Sequence, residues 1–212
     1  VVLGLGKLGS RELTTGSDLD LVFVYDADPE ARSTGARPLA AASWYGRLAQ
    51  RLIAAISAKT AEGQLFEIDM RLRPSGNAGP IACSIESFAR YQMETAQTWE
   101  RQALTRARVI AGDEILAART AAVIDDAIRQ PRDPAVLARE VRAMRDRIFR
   151  EHGSADPWNL KHARGGLVEQ EFCAQYLQLA HAHAHPELRR PGTAAVVAAA
   201  GRLGILEPTD AR

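Results

Sequence analysis

The chain has 212 residues, 46% hydrophobic and 25% charged, close to the average for soluble globular domains, which excludes disordered, collagen-like and disulfide-scaffold chains. Basic and acidic residues nearly cancel, 27 against 26, with 24 Arg and 3 Lys on the basic side, so the basic excess that carries a nucleic-acid binder onto phosphates is missing. The longest apolar runs, such as residues 194–200, fall far short of the roughly 18 residues that span a bilayer, and no signal-type stretch opens the chain, so neither membrane insertion nor secretion is expected.

Residues 1–5 (VVLGL) read as a short strand that runs into a Gly-rich turn, and residues 19–25 (LDLVFVY), rich in β-branched and aromatic side chains, read as a second strand. Over residues 42–57 apolar side chains recur at helical spacing (Trp44, Leu48, Leu52, Ala55, Ile56), which predicts a helix. Residues 64–73 alternate strictly. Phe66, Ile68, Met70 and Leu72 point one way and Glu67, Asp69, Arg71 and Arg73 the other, as successive side chains of a strand must, until Pro74-Ser75-Gly76-Asn77 ends the run as a turn. Beyond Ser84 the pattern is helical over about 84–107, 113–130, 133–151, 165–184 and 192–203, punctuated by glycines and prolines. A small mixed α/β domain over residues 1–112, followed by a helical bundle over 113–212, is the predicted organisation. Cys83 and Cys173 are far apart, belong to no CxxC, and read as buried or inert thiols in a reducing cytoplasm. Val1 opens directly into a strand without an initiating Met, which predicts a piece of a longer protein.

Gly4-Leu5-Gly6-Lys7-Leu8-Gly9 matches GxGxxG behind a strand, with Asp26 near the end of the next strand where a ribose-binding acid would stand. Only residues 10–17 are available for a crossover helix, whereas a βαβ unit needs a dozen or more, so glycines serving a tight strand-to-helix turn are the alternative. Asp18 and Asp20 are two apart at the start of a strand and so share a face, about 6–7 Å apart along the chain. Such a pair repels itself unless a cation lies between, and hard oxygen ligands suit Mg²⁺ bridging to substrate phosphates; two merely exposed acids are the bland reading. Asp69 supplies a third carboxylate on the polar face of the later strand, beside Arg71 and Arg73. If the two strands are neighbours, three carboxylates could hold two metal ions while the planar guanidinium groups bind phosphate. The alternative is an ordinary solvated face with cross-strand ion pairs.

Four segments together resemble a known family: residues 4–25 (GLGKLGSRELTTGSDLDLVFVY), 67–80 (EIDMRLRPSGNAGP), 99–112 (WERQALTRARVIAG) and 158–172 (WNLKHARGGLVEQEF). In order and over essentially the whole chain they are similar to glutamine synthetase adenylyltransferase, of the DNA polymerase β-type nucleotidyltransferase superfamily. The wording of residues 96–106 is closest to the carboxyl-terminal, adenylylating half, so the de-adenylylating half would lie upstream. The resemblance implies an α+β fold: a nucleotidyltransferase-type mixed sheet with flanking helices, followed by an all-α helical bundle that positions the protein substrate or receives signals. It implies that Gly9 and Ser10 form the glycine-serine turn contacting the nucleotide, that Asp18 and Asp20 are paired metal ligands, and that Asp69 is the third carboxylate. A nucleotide-binding role for Arg71 and Arg73 comes from strand geometry instead. One departure from the family pattern is Glu169-Gln170-Glu171, where an Asp, an apolar residue and Glu are usual.

The expected function is thus transfer of AMP from ATP to a tyrosine hydroxyl of glutamine synthetase, with two Mg²⁺ ions, in the cytoplasm, as part of a multifunctional enzyme that regulates nitrogen metabolism. Glutamine synthetase and the PII signal protein are the partners the resemblance implies, with no nucleic acid and no membrane. Another nucleotidyltransferase of the superfamily, such as a PII uridylyltransferase, and a non-catalytic nucleotide-binding module are the rivals; a module without chemistry would have no need of all three carboxylates. His181, His183 and His185 read as a solvated helix end, because only His181 and His185 share a helical face and Pro186 follows at once. Residues 139–150 (REVRAMRDRIFR) read as an amphipathic packed helix, and Trp99 as packing.

Overall fold

A computed structural model describes residues 1–64 and 66–207, so Leu65, inside the alternating run, lies outside the described residues. Two compact units emerge, one of residues 1–96 and 107–124, the other of residues 97–106 and 125–212. The fold is α+β: a mixed sheet of five strands with flanking helices, as expected.

In the first unit, β1 (Val2–Gly4), α1 (Gly6–Ser10), β2 (Leu19–Tyr25), α2 (Ala41–Ile56), β3 (Ile68–Asp69), β4 (Ala82–Ser84), α3 (Ile85–Arg90) and β5 (Arg108–Ala111) follow in chain order. Central β2 pairs antiparallel with β1, which pairs antiparallel with β5. Its other edge is divided: β3 pairs parallel with Leu19 and Asp20, and β4 pairs parallel with Phe23, Val24 and Tyr25. Each partner therefore has room for only two or three residues.

That division corrects the strand expected over residues 64–73, whose ladder is confined to Ile68–Asp69. It also makes room for β4, which ends where a continuous helix was expected to begin over 84–107, while β5 occupies the gap before the next expected helix. The 84–107 stretch is instead α3, a widened turn over Tyr91–Thr95, and α4 (Thr98–Leu104) in the second unit. Ser84 Oγ accepts the N–H of Ser87 at 3.2 Å, which caps α3 where the strand ends.

Alternation along β2 gives the sheet two faces. Leu21 and Phe23 join Ala49 and Ala82 in one apolar cluster, with Tyr45 and Ile53 of α2 and Ile68 and Met70 of the β3 segment packed against it. The opposite face carries Asp18 and Asp20 in line with buried Val22 and Val24. The apolar stripe foreseen for α2 lies away from this core: Trp44, Leu48, Leu52 and Ile56 are all exposed, and Leu48 and Leu52 instead line a groove of about 620 Å³ with Tyr45 and Ile115.

In the second unit, α6 (Pro134–His152), α7 (Leu167–His181) and α8 (Thr193–Arg202) follow the end of α5 (Glu114–Arg129), close to the helices expected. Asp133 caps α6 by accepting the N–H groups of Ala135 and Val136, with Pro134 at the first helical position. Its Arg-dense stretch is amphipathic, with Val141 buried. Ala174, Leu177, Leu188, Val196, Ala199 and Ala200 form the core of α7 and α8. Cys83 is buried as expected, whereas Cys173 is exposed on α7. No helix among the described residues is long and apolar enough to cross a membrane.

Candidate functional site

The glycine turn settles the dinucleotide alternative first. β1 leads into α1 and the chain returns antiparallel in β2, whereas a dinucleotide-binding βαβ unit returns parallel. Asp26, the would-be ribose acid, is ion-paired with Arg119, which also lies 3.8 Å from Glu86.

The turn places backbone against the acids. Gly6 has φ +50°, and a Cβ built there would fall 2.2 Å from Asp20 Oδ2, so the absence of a side chain lets the carboxylate lie against the first residue of α1. The Leu5 N–H donates to the Asp20 carbonyl at 2.9 Å, which fixes the two segments together. Gly9 and Ser10 close α1 as buried residues. The Gly9 carbonyl accepts from Arg108 Nε at 3.1 Å, and the Ser10 hydroxyl lies 2.8 Å from Glu12 Oε2 and 3.1 Å from the Gly6 carbonyl.

Strand pairing brings the third acid to the first two. Asp20 and Asp69 are register partners in the parallel pair β2–β3, so their side chains leave the same face of neighbouring strands about 4.8 Å apart. Asp18 precedes Asp20 by two residues and is exposed at the start of that strand.

Arg71 occupies Asp69. Its Nε and Nη2 lie 2.7 and 2.5 Å from Asp69 Oδ2, and its backbone N–H donates to Oδ1 at 2.7 Å. The guanidinium bond above all, opposed by partial burial, holds the Asp69 carboxyl below the usual carboxylate range. Arg71 is raised in return, chiefly by Asp69 with smaller contributions from Asp20 and Asp18.

Arg73 behaves differently from the sequence expectation. It is 9% exposed, and its guanidinium donates to the Met70 carbonyl at 2.7 Å and the Gly79 carbonyl at 3.3 Å. The chain turns after β3, and Arg73 pins the 70–79 turn through those carbonyls, which already engages the guanidinium expected to bind phosphate.

Three carboxylates offering hard oxygen donors on one face suit Mg²⁺. Among the described residues, however, no three His, Cys, Asp or Glu side chains are gathered as a metal-binding group. Both oxygens of Asp69 are in contact with Arg71. The donor set therefore fits the ion in chemistry and strand register, with Arg71 in the third position. Sequence reasoning missed two participants, Gly6 and Arg108. Gly6 was visible only as part of GxGxxG, and Arg108 lay in the short gap between two expected helices, to which no element was assigned.

A mixed sheet with a short helix after its first strand, and acids of two parallel strands on one face beside that helix, defines an α+β domain with an acidic site at its glycine turn. The family model for glutamate-ammonia ligase adenylyltransferase matches residues 1–123. The chain is 54% identical over 212 residues to the bifunctional glutamine synthetase adenylyltransferase/adenylyl-removing enzyme of Xanthobacter autotrophicus, covering 99% of this chain and 21% of that protein. The similarly named protein of Bradyrhizobium sp. (strain BTAi1) is 50% identical over 211 residues, again covering 21% of its length. The chain belongs to the glutamate-ammonia ligase adenylyltransferase family, a family of enzymes, and spans about a fifth of the length of these relatives.

Proposed function

We propose that this chain transfers AMP from ATP to a tyrosine hydroxyl of glutamine synthetase. The names of the relatives support the reaction and its protein target. The observation that carries the site is the register pairing of Asp20 with Asp69 beside the Gly6 turn. In the reaction the hydroxyl oxygen gives up its proton to solvent and bonds to the α-phosphorus, the bond from that phosphorus to the bridging oxygen breaks, and pyrophosphate leaves with its electron pair. Asp18, Asp20 and Asp69 would hold Mg²⁺, two ions in this reading, which when bound lowers the pKa of the attacking hydroxyl and offsets charge on the leaving group. Asp20 stays against Gly6, so its carboxylate needs little reorganisation before reaction. Gly9 and Ser10, buried at the end of α1, are assigned to the nucleotide side of the turn on the strength of the family resemblance. In the same proposal, a cytoplasmic enzyme uses its helical unit for the protein substrate and the PII signal protein.

The test supplies ATP labelled at the α-phosphate, Mg²⁺ and glutamine synthetase, and asks whether label stays on protein. Asp20→Asn removes one charge at nearly constant volume. Transfer should fall at least a hundredfold while the melting midpoint holds, because relief of carboxylate repulsion offsets what is lost in the fold. Retention of more than about a tenth of the wild-type rate, about 1.4 kcal/mol of barrier, would remove Asp20 from the metal site. Release of pre-attached label, with no incorporation, would reverse the assigned direction.

A further inference from the structure

We propose that Arg71 is a resident cation that keeps Asp69 for the divalent metal: metal entry displaces its guanidinium from the carboxylate, and the freed guanidinium then engages the phosphates of the nucleotide. This rests on the metal-site reading above and goes beyond it, because it couples the binding of two ligands through one side chain.

The geometry supplies the asymmetry such an exchange requires. Asp69 is held by its place in β3, opposite Asp20, and its side chain is 15% exposed. The Arg71 side chain is 75% exposed. Of the two partners the carboxylate is fixed and the guanidinium is free to swing through solvent. Two contacts run from the guanidinium to a single oxygen, Oδ2, while Oδ1 accepts only the backbone N–H of Arg71. The side chain can therefore leave without breaking the backbone bond that orients the carboxylate.

Charge favours the same order of events. Asp18, Asp20 and Asp69 carry three negative charges on one face, and Arg71 pairs directly with Asp69. A divalent ion at the same place answers more of the charge in a compact volume and accepts oxygen ligands from several acids at once, which a planar guanidinium cannot do. Once released, Arg71 keeps the planar fork that matches phosphate oxygens bidentately. Neighbouring arginines are already committed: Arg73 to the carbonyls of Met70 and Gly79, and Arg108 to those of Leu8 and Gly9.

The exchange predicts effects of opposite sign in one variant. Calorimetry on the full chain with Mn²⁺ alone, without nucleotide, reads the first. Arg71→Gln should bind Mn²⁺ about three- to tenfold more tightly, the size expected when a largely exposed ion pair no longer competes. In saturating Mn²⁺ the same variant should bind ATP about three- to tenfold more weakly. Arg71→Lys keeps the charge but lacks the fork, so its Mn²⁺ affinity should lie between wild type and Arg71→Gln. A Lys variant identical to wild type beside a tighter Gln variant would reveal simple charge repulsion and overturn displacement. Unchanged or weaker Mn²⁺ binding by Arg71→Gln would overturn it too, and unchanged ATP binding would overturn the phosphate half. Asp20→Asn separates this from the site itself: if that variant binds Mn²⁺ like wild type, the metal-site reading fails and the exchange with it. If it loses Mn²⁺ while Arg71→Gln gains nothing, only the exchange fails.

Discussion

Gly6→Ala tests the turn at its tightest point. At φ +50° an alanine meets the left-handed region, which costs about 1–2 kcal/mol, or roughly 3–10 °C in the melting midpoint of a unit this size. The larger effect is positional. The added Cβ would stand 2.2 Å from Asp20 Oδ2, where ordinary contact begins at 3.4 Å, so the carboxylate has to retreat by about 1.2 Å. Misplacement of a reacting group by about 1 Å can cost on the order of a hundredfold in rate. Labelled-AMP transfer should accordingly fall about a hundredfold in a protein that still melts cooperatively within those few degrees. Gly16→Ala is the control, because Gly16 also has positive φ, +76°, but a Cβ there meets nothing within 4 Å. It should show a similar stability loss and transfer within about twofold of wild type. Transfer by Gly6→Ala above a third of the wild-type rate, or an equal loss in both variants, would refute the argument that this glycine exists to admit the Asp20 carboxylate.

Arg132 closes the end of α5 by donating to the carbonyls of Ala127, Ile128, Gln130 and Leu179 at 2.5–3.4 Å. Burial, with Arg101 nearby, pulls it down to about 10, a desolvation cost that those bonds offset. Arg132→Met should cost about 2–4 kcal/mol in urea unfolding, because buried carbonyls lose a charged donor; a loss under about 1 kcal/mol would show that water replaces the guanidinium. The two thiols should separate in alkylation at pH 8 followed by mass spectrometry, with Cys173 modified in the native state and Cys83 only on unfolding. Burial pushes Cys83 up to about 12 from its ordinary value of 9.0, so the contribution of this thiol to stability is complete below pH 9 and fades as pH rises from there towards 12. Native-state labelling of Cys83 as fast as Cys173 would contradict its burial.

Elements with a long period of their own were legible. β2 (Leu19–Tyr25) and the helices α2, α6 and α7 announce themselves because seven or more residues repeat one pattern. β4 and β5, three and four residues long, offer too few repeats to be told from the helices beside them. The divided edge of β2 was equally invisible, since which strand takes which half is a tertiary decision. For α2 the sequence revealed a helix but not its orientation: the bulkiest stripe, Leu48 and Leu52, borders a groove, while small Ala49 packs on the sheet. A glycine motif likewise fixes a turn without fixing the direction in which the chain returns, and here the antiparallel return of β2 decides against a dinucleotide site.

The acids were legible for a reason that survives the shortening of their strand. Side-chain direction in an extended chain depends on local φ and ψ, not on how many ladder bonds a neighbour supplies. Asp69, which remains in the ladder, keeps its direction, whereas Arg71 meets it from the 70–73 turn, its backbone N–H on Asp69 Oδ1, and Arg73 closes that turn on the Met70 carbonyl. The same two-residue spacing that suggested a metal ligand beside a phosphate anchor also allows those side chains to neutralise each other at 2.5 Å. Three carboxylates on one face would repel in the absence of a ligand, and Arg71 relieves that repulsion from within the motif. A cation two residues from the third carboxylate thus lets one short segment serve both the folded state without ligand and the state with it, and only the partner of Arg71 needs to change.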